Sequence, residues 1–177
     1  MRKELTVHFV FWLIFFVVII LIRRYFDLSY ILFVVGGLLG VVMPDLDHLI
    51  YAYFIKPEDL TSQRINYLVN KNEIKRTVEL LYETRQERRE LTFHSIFFQG
   101  IFFILMFWVL SSSGSLLGRG LVLSFMLHLS VDQFIDLKNM NSLSSWFKNL
   151  PFGLDFNQSK IYWMVTTSLT VLMGILM

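Results

Sequence analysis

Apolar residues run along this chain in five long blocks, separated by one long polar stretch and several short ones. Leu5 to Ile22 is eighteen residues with one notable polar member, His8, and it stops at Arg23 and Arg24. About 20 apolar residues in a helix cross a hydrocarbon core, so this block is a slightly short span. Leu28 to Met43 is a second span, with Gly36 and Gly40 at the small-xxx-small spacing that lets another helix approach closely. Pro44 then interrupts the helical pattern or opens a new first turn. Leu49 to Ile55 is too short to cross again and reads as an interfacial stretch anchored by Tyr51 and Tyr53.

From Lys56 to Glu90 the chain is polar and helix-favouring. Ile65, Leu68, Val69, Ile74, Val78, Leu81 and Tyr82 are spaced as one stripe, which predicts one or two amphipathic helices outside the bilayer. Phe93 to Leu110 is a third span, and Ser111 to Gly120 is a loop by its serine and glycine content. Leu121 to Leu137 is a fourth span, unusually polar. Asn139 to Ser159, with Pro151 and Gly153, is an irregular connection, and Ile161 to Met177 is a fifth apolar run. The expected fold is therefore all-α: one polytopic membrane helix bundle over residues 1–177, about five spans, with a helical insertion at 56–90.

Composition sharpens this picture. The chain is 55% hydrophobic and 17% charged, with a mean hydropathy of +0.56, whereas soluble domains hold about 25% charged residues. The absence of cysteine excludes disulfides and thiolate metal sites, so a metal here is bound by His and Asp. A net charge of +2 is too small to point to nucleic acid. Residues 1–22 have the charge order of a signal peptide but no small-residue cleavage site, and are expected to stay as the first span. With five spans, thirteen Lys and Arg residues fall on the side of the N-terminus and the long insertion, and three on the other. That asymmetry predicts an inner-membrane protein with a cytoplasmic N-terminus and insertion.

The same topology gathers the chemistry. His8 lies about 8 Å along its helix from Lys3, and Asp132 about 9 Å from Lys138. Asp45, Asp47 and His48 end the second span, and His94 opens the third. All four histidines and three of the aspartates thus fall at similar depth on one side. Within the fourth span Ser124, His128, Asp132 and Asp136 recur every fourth residue and line one face. An HxxxD pair supplies two ligands to one ion, or a ligand and its orienting carboxylate. In the second span Asp45 and His48 share a face and Asp47 points elsewhere. Each feature has a plainer reading: His8 as an interfacial residue, Asp45 as a helix cap, Ser95 bonded to backbone, Arg88, Arg89 and Glu90 as a solvated face. The plainer reading is weakest for His128 and Asp132, because ionisable pairs inside a membrane are rare and functional.

The glycine-spaced span ending in PDLDH, the His94-Ser95 pair opening a later span, and HxxxD from His128 to Asp132 together resemble the YdjM-like inner-membrane metal-dependent hydrolases over roughly residues 5 to 137. The chain departs from that pattern in having Phe93 directly before His94. The resemblance implies His8, Asp45, Asp47, His48, His94, His128 and Asp132 as a metal-centred polar set. The resulting expectation is a membrane-embedded hydrolase whose metal ligands are His8, Asp45, His48, His94, His128 and Asp132. They would hold one or two zinc or manganese ions that activate water at the cytoplasmic face. Asp47 or Asp136 would serve as general base, and Arg88 and Arg89 as contacts to the phosphate of a lipid or isoprenoid ester. Two other functions fit the same residues. One is a transporter moving a cation or protons; the other is a non-catalytic membrane protein whose insertion recruits a partner.

Overall fold

The computed structural model describes residues 2–88, 90–148, 150–151 and 153–176. Arg89 lies outside them. The described residues contain eight α-helices and no strand: α1 (Arg2–Arg23), α2 (Ile31–Val42), α3 (Leu46–Ile50), α4 (Leu60–Asn70), α5 (Ile74–Glu83), α6 (Ile96–Ser112), α7 (Leu116–Met140) and α8 (Phe156–Leu176). Four stretches are long and apolar enough to cross a membrane: Thr6–Arg23, Leu28–Ile55, Leu116–Met140 and Phe156–Leu176. The apolar helix α6 is shorter, at 17 residues.

One helix is central. In α7 78% of the apolar window is buried, against 28%, 33% and 17% in the windows of α1, Leu28–Ile55 and α8. The other helices keep apolar side chains such as Leu13, Ile104, Trp108 and Leu172 exposed, the pattern of a surface made to face lipid. The core between them is aromatic and aliphatic, with Phe16, Ile19, Phe33, Met106, Met126 and Leu129 nearly without exposure.

Glycine decides where α2 and α7 meet. A Cβ on Gly36 would stand 2.0 Å from the Leu117 carbonyl oxygen, one on Gly40 2.2 Å from that of Leu121, and one on Gly120 2.0 Å from that of Phe33. Those distances leave no room for a side chain, so the two backbones touch along this seam. This corrects the reading of Ser111 to Gly120 as a loop. The turn is only Ser113 to Ser115, Ser115 accepts the Gly118 amide as N-cap at 3.1 Å, and α7 starts at Leu116. Gly120 sits inside the helix to admit α2, not to make a turn.

The second correction concerns Leu49 to Ile55. Instead of a separate interfacial piece it continues the second span, so Leu28–Ile55 is one helical stretch. The irregularity is confined to 3-10 turns at Leu28–Tyr30 and Met43–Asp45 and a π turn at Tyr51–Ile55. Pro44 is the second residue of the latter 3-10 turn, in a first turn where its missing N–H is not needed and its fixed φ suits the helix. The insertion forms two helices, as its pattern suggests, but its stripe is only partly used: Ile65 is buried, whereas Val69 and Ile74 are exposed.

Candidate metal centre

The centre is built around Asp132, on the buried face of α7 and with no exposed surface. Its Oδ1 lies 3.0 Å from His8 Nε2, from α1, and 2.8 Å from the Arg85 guanidinium. Its Oδ2 lies 2.8 Å from His94 Nε2 and 3.2 Å from His128 Nε2, one turn back on α7. His8 stacks on His128 with ring centroids 4.1 Å apart. His8, His128 and Asp132, all buried, each offer a ligand atom within 4.8 Å of the others, which is close enough to hold one metal ion.

One of these imidazoles has its proton position fixed from behind. His128 Nδ1 lies 2.6 Å from the Val41 carbonyl oxygen. A carbonyl only accepts, so Nδ1 carries the hydrogen and Nε2 presents its lone pair. That Nε2 is buried without a hydrogen-bond partner, and Asp45 Oδ1 is 3.6 Å from it. His94 lies between two carboxylates, its Nδ1 3.2 Å from Asp47 Oδ2 and its Nε2 2.8 Å from Asp132 Oδ2. Two buried imidazoles, His8 and His128, and the Asp132 carboxylate, with His128 oriented by the carbonyl behind it, form a donor set that a metal ion can use.

Asp47 has a different task from the general base expected of it. It is fully buried and accepts the backbone amides of Thr92 at 3.0 Å, Phe93 at 2.6 Å and His94 at 3.3 Å, besides the His94 ring. It therefore moors the extended segment before α6 and orients His94. The spacing argument that Asp47 faces away from Asp45 holds: Asp45 turns to His128 and Asp47 to residues 92–94. Ser95, next in line, caps α6 through the Phe98 amide.

His48 and Arg88 form a second layer. Arg88 Nε donates to His48 Nδ1 at 3.1 Å, and the guanidinium also donates to Thr84 Oγ1 at 2.8 Å and to the Leu81 carbonyl. A donor on Nδ1 places the His48 proton on Nε2, so in this arrangement His48 is a hydrogen-bond donor beside the centre, its ring 5.5 Å from that of His94, and not a ligand. Arg88, 3% exposed, is held inward by these bonds. Burial is the main reason its pKa falls to about 10. Arg88 also lines the open cavity beside the centre. Asp136 stands one turn beyond Asp132, accepts the Trp146 indole N–H at 2.8 Å, and borders an open cavity of about 360 Å³ with Arg85, His94, Trp146 and Lys148.

Arg85 is the functional residue that the sequence pattern does not single out. It lies on a 3-10 turn at the end of the insertion, Arg85–Glu87, three residues before Arg88. The one available signal was that spacing, which puts both side chains on one side of a tight turn. Trp146 escapes too, since it sits in the irregular connection, where its carbonyl accepts the Ile96 amide at 3.1 Å. Comparisons of the chain with protein-family models, with curated proteins and with solved structures give no match.

Proposed function

We propose that this protein is a membrane-embedded, metal-dependent hydrolase. The observation that carries the reading is the buried group of His8, His128 and Asp132, whose ligand atoms lie within 4.8 Å of one another, with Val41 holding the His128 proton on Nδ1 so that Nε2 is open. His8 Nε2, His128 Nε2 and Asp132 would hold the ion, with His94 Nε2 as a further donor and Asp45 beside them. Such an ion supplies Lewis acidity, lowering the pKa of water from 15.7 to about 7. Asp136, at the cavity wall next to His94, is placed to take a proton from water in that cavity. Arg85 offsets negative charge at Asp132 and, on the same wall, faces an anionic substrate. Asp47 holds the His94 ring in place, and Arg88 keeps His48 in its tautomer.

The thirteen-to-three distribution of Lys and Arg supports a cytoplasmic location for the site. The motif resemblance to the YdjM-like hydrolases supports the same reaction class. The test is elemental analysis of the purified chain, followed by hydrolysis of a panel of phosphate and carboxylate esters with and without chelator. A stoichiometric zinc or manganese ion and chelator-sensitive hydrolysis are the expected results. Protein that retains no divalent metal, or retains it and hydrolyses nothing in the panel, overturns the reading.

A further inference from the structure

The cluster of His8, Asp45, His48, His94 and Asp132 stands between two cavities of opposite character. The first, about 360 Å³, carries Arg85, Arg88 and Lys148 on its wall against the single carboxylate of Asp136, and meets the cluster at His94. Lys148 also donates to Glu90 at 2.9 Å. The second, about 270 Å³, lies among α1, the second span and α5 and is walled by Phe9, Val42, Leu46, Leu49, Val78 and Leu81. Its polar lining residues are His8, Asp45 and His48, all at the cluster. Each cavity is close to the lower end of the range for ligand sites, about 300–1,000 Å³.

A small water-soluble ester would have no use for the second cavity, which offers a polar group only where it meets the centre. A molecule filling both must have an anionic head and an apolar tail, with the bond between them at the cluster. From this we propose that the substrate is a phosphate monoester of a long-chain alcohol, its phosphate beside Arg85 and Lys148 and its chain beside Phe9, Leu46 and Val78. In the reaction water attacks phosphorus, the P–O bond to the chain breaks, and the departing alkoxide takes up the proton that water releases. The products are a long-chain alcohol and inorganic phosphate. The assignment rests on the metal centre proposed above and adds its substrate class.

Binding of uncleavable probes tests it apart from turnover. The full chain, in nanodiscs and loaded with zinc or manganese, is titrated with hexadecyl phosphonate and with methyl phosphonate. The long probe should bind at least ten-fold tighter, and hexadecyltrimethylammonium, which partitions into the bilayer but carries the opposite head charge, should not compete. Leu46→Trp, at a half-open wall position, should reduce the chain-length preference by at least ten-fold. Lys148→Ala should weaken both phosphonates by a similar factor. If Leu46→Trp does not fold, the wild-type ratio decides. Equal affinity for the two phosphonates, or competition by the ammonium probe, overturns the substrate assignment while leaving a loaded metal centre standing. Failure to load metal overturns the centre itself.

Discussion

His128 donates its Nδ1 hydrogen to the carbonyl of Val41 across 2.6 Å, from the middle of α7 to the end of α2. The contact exists because three glycines let those two backbones touch. A packing feature of the membrane interior therefore sets the tautomer of a residue in the centre.

Gly40→Val tests that link. The added side chain would begin 2.2 Å from the Leu121 carbonyl, so α2 must move away from α7 and carry Val41 off His128. Overpacking of this kind costs about 1–3 kcal/mol, and loss of the group that orients a ligand about 10–100-fold in metal affinity. Gly100→Ala is the control, since nothing stands within 4 Å of its Cβ. Replacing glycine inside a helix there should add about 0.5–1 kcal/mol of stability and leave metal affinity unchanged. Melting curves and metal titrations of the two variants read both effects.

Asp132→Asn is a sharper case than the sequence suggests. A lone carboxylate in the bilayer would be a burden whose neutralisation stabilises the fold, but this one is paired with the Arg85 guanidinium at 2.8 Å. Removing one partner of a buried ion pair costs about 3–5 kcal/mol, so the variant should melt lower even without metal. The discriminating quantity is the extra stability conferred by metal. Wild type should gain from zinc or manganese and lose that gain with chelator; Asp132→Asn should show neither. An unchanged metal-dependent shift in the variant would remove Asp132 from the ligand set.

Asp47→Ala separates positioning from proton transfer. The substitution strands the amides of Thr92, Phe93 and His94, and a stranded buried donor costs about 1–3 kcal/mol. Denaturant unfolding should report a loss of at least that size, with metal affinity down about 10–100-fold as His94 loosens. If Asp47 were a base and nothing more, turnover would fall with both of those quantities intact.

Sidedness is testable because the chain has no native cysteine. Ser62 is buried, which makes the neighbouring exposed Gln63 the better reporter, with Gly114 in the turn before α7 as its counterpart. Gln63→Cys should react with an impermeant maleimide only from the cytoplasmic side, and Gly114→Cys only from the other. Reaction from one side alone for both would rule out an α6 that crosses the membrane.

Much of the centre was legible because helical spacing is rigid. His128 and Asp132 are one turn apart on any helix, and Asp45 had to lie near them once span ends were matched; the separation is 3.6 Å from Asp45 to His128. Arg85 was not legible. The insertion has eight Lys and Arg residues, and nothing in periodicity tells which of them reaches back to a carboxylate on a helix some fifty residues away. The role of Asp47 was hidden for a related reason, since its partners are backbone amides of an extended segment, and amides carry no sequence signature. Gly120 misled because glycine marks turns and close helix contacts alike, and only the partner helix decides between them.

The burial of α7 also fixes an order of assembly. This helix holds Ser124, His128, Asp132 and Gln133 on its buried surface, and an aspartate within a span costs up to about 2.5–3.5 kcal/mol to expose to lipid. The α1 window, with a mean hydropathy of 2.5 against 1.3 for α7, can enter the bilayer and wait; α7 is stable there only once α1, α2, α6 and α8 surround it. Three of the four partners of Asp132, namely His8, Arg85 and His94, come from other segments, so the full set meets only when that enclosure closes. A chain stalled with α7 undocked would carry every ligand and no centre, which makes metal retention a readout of completed membrane folding as well as of the site.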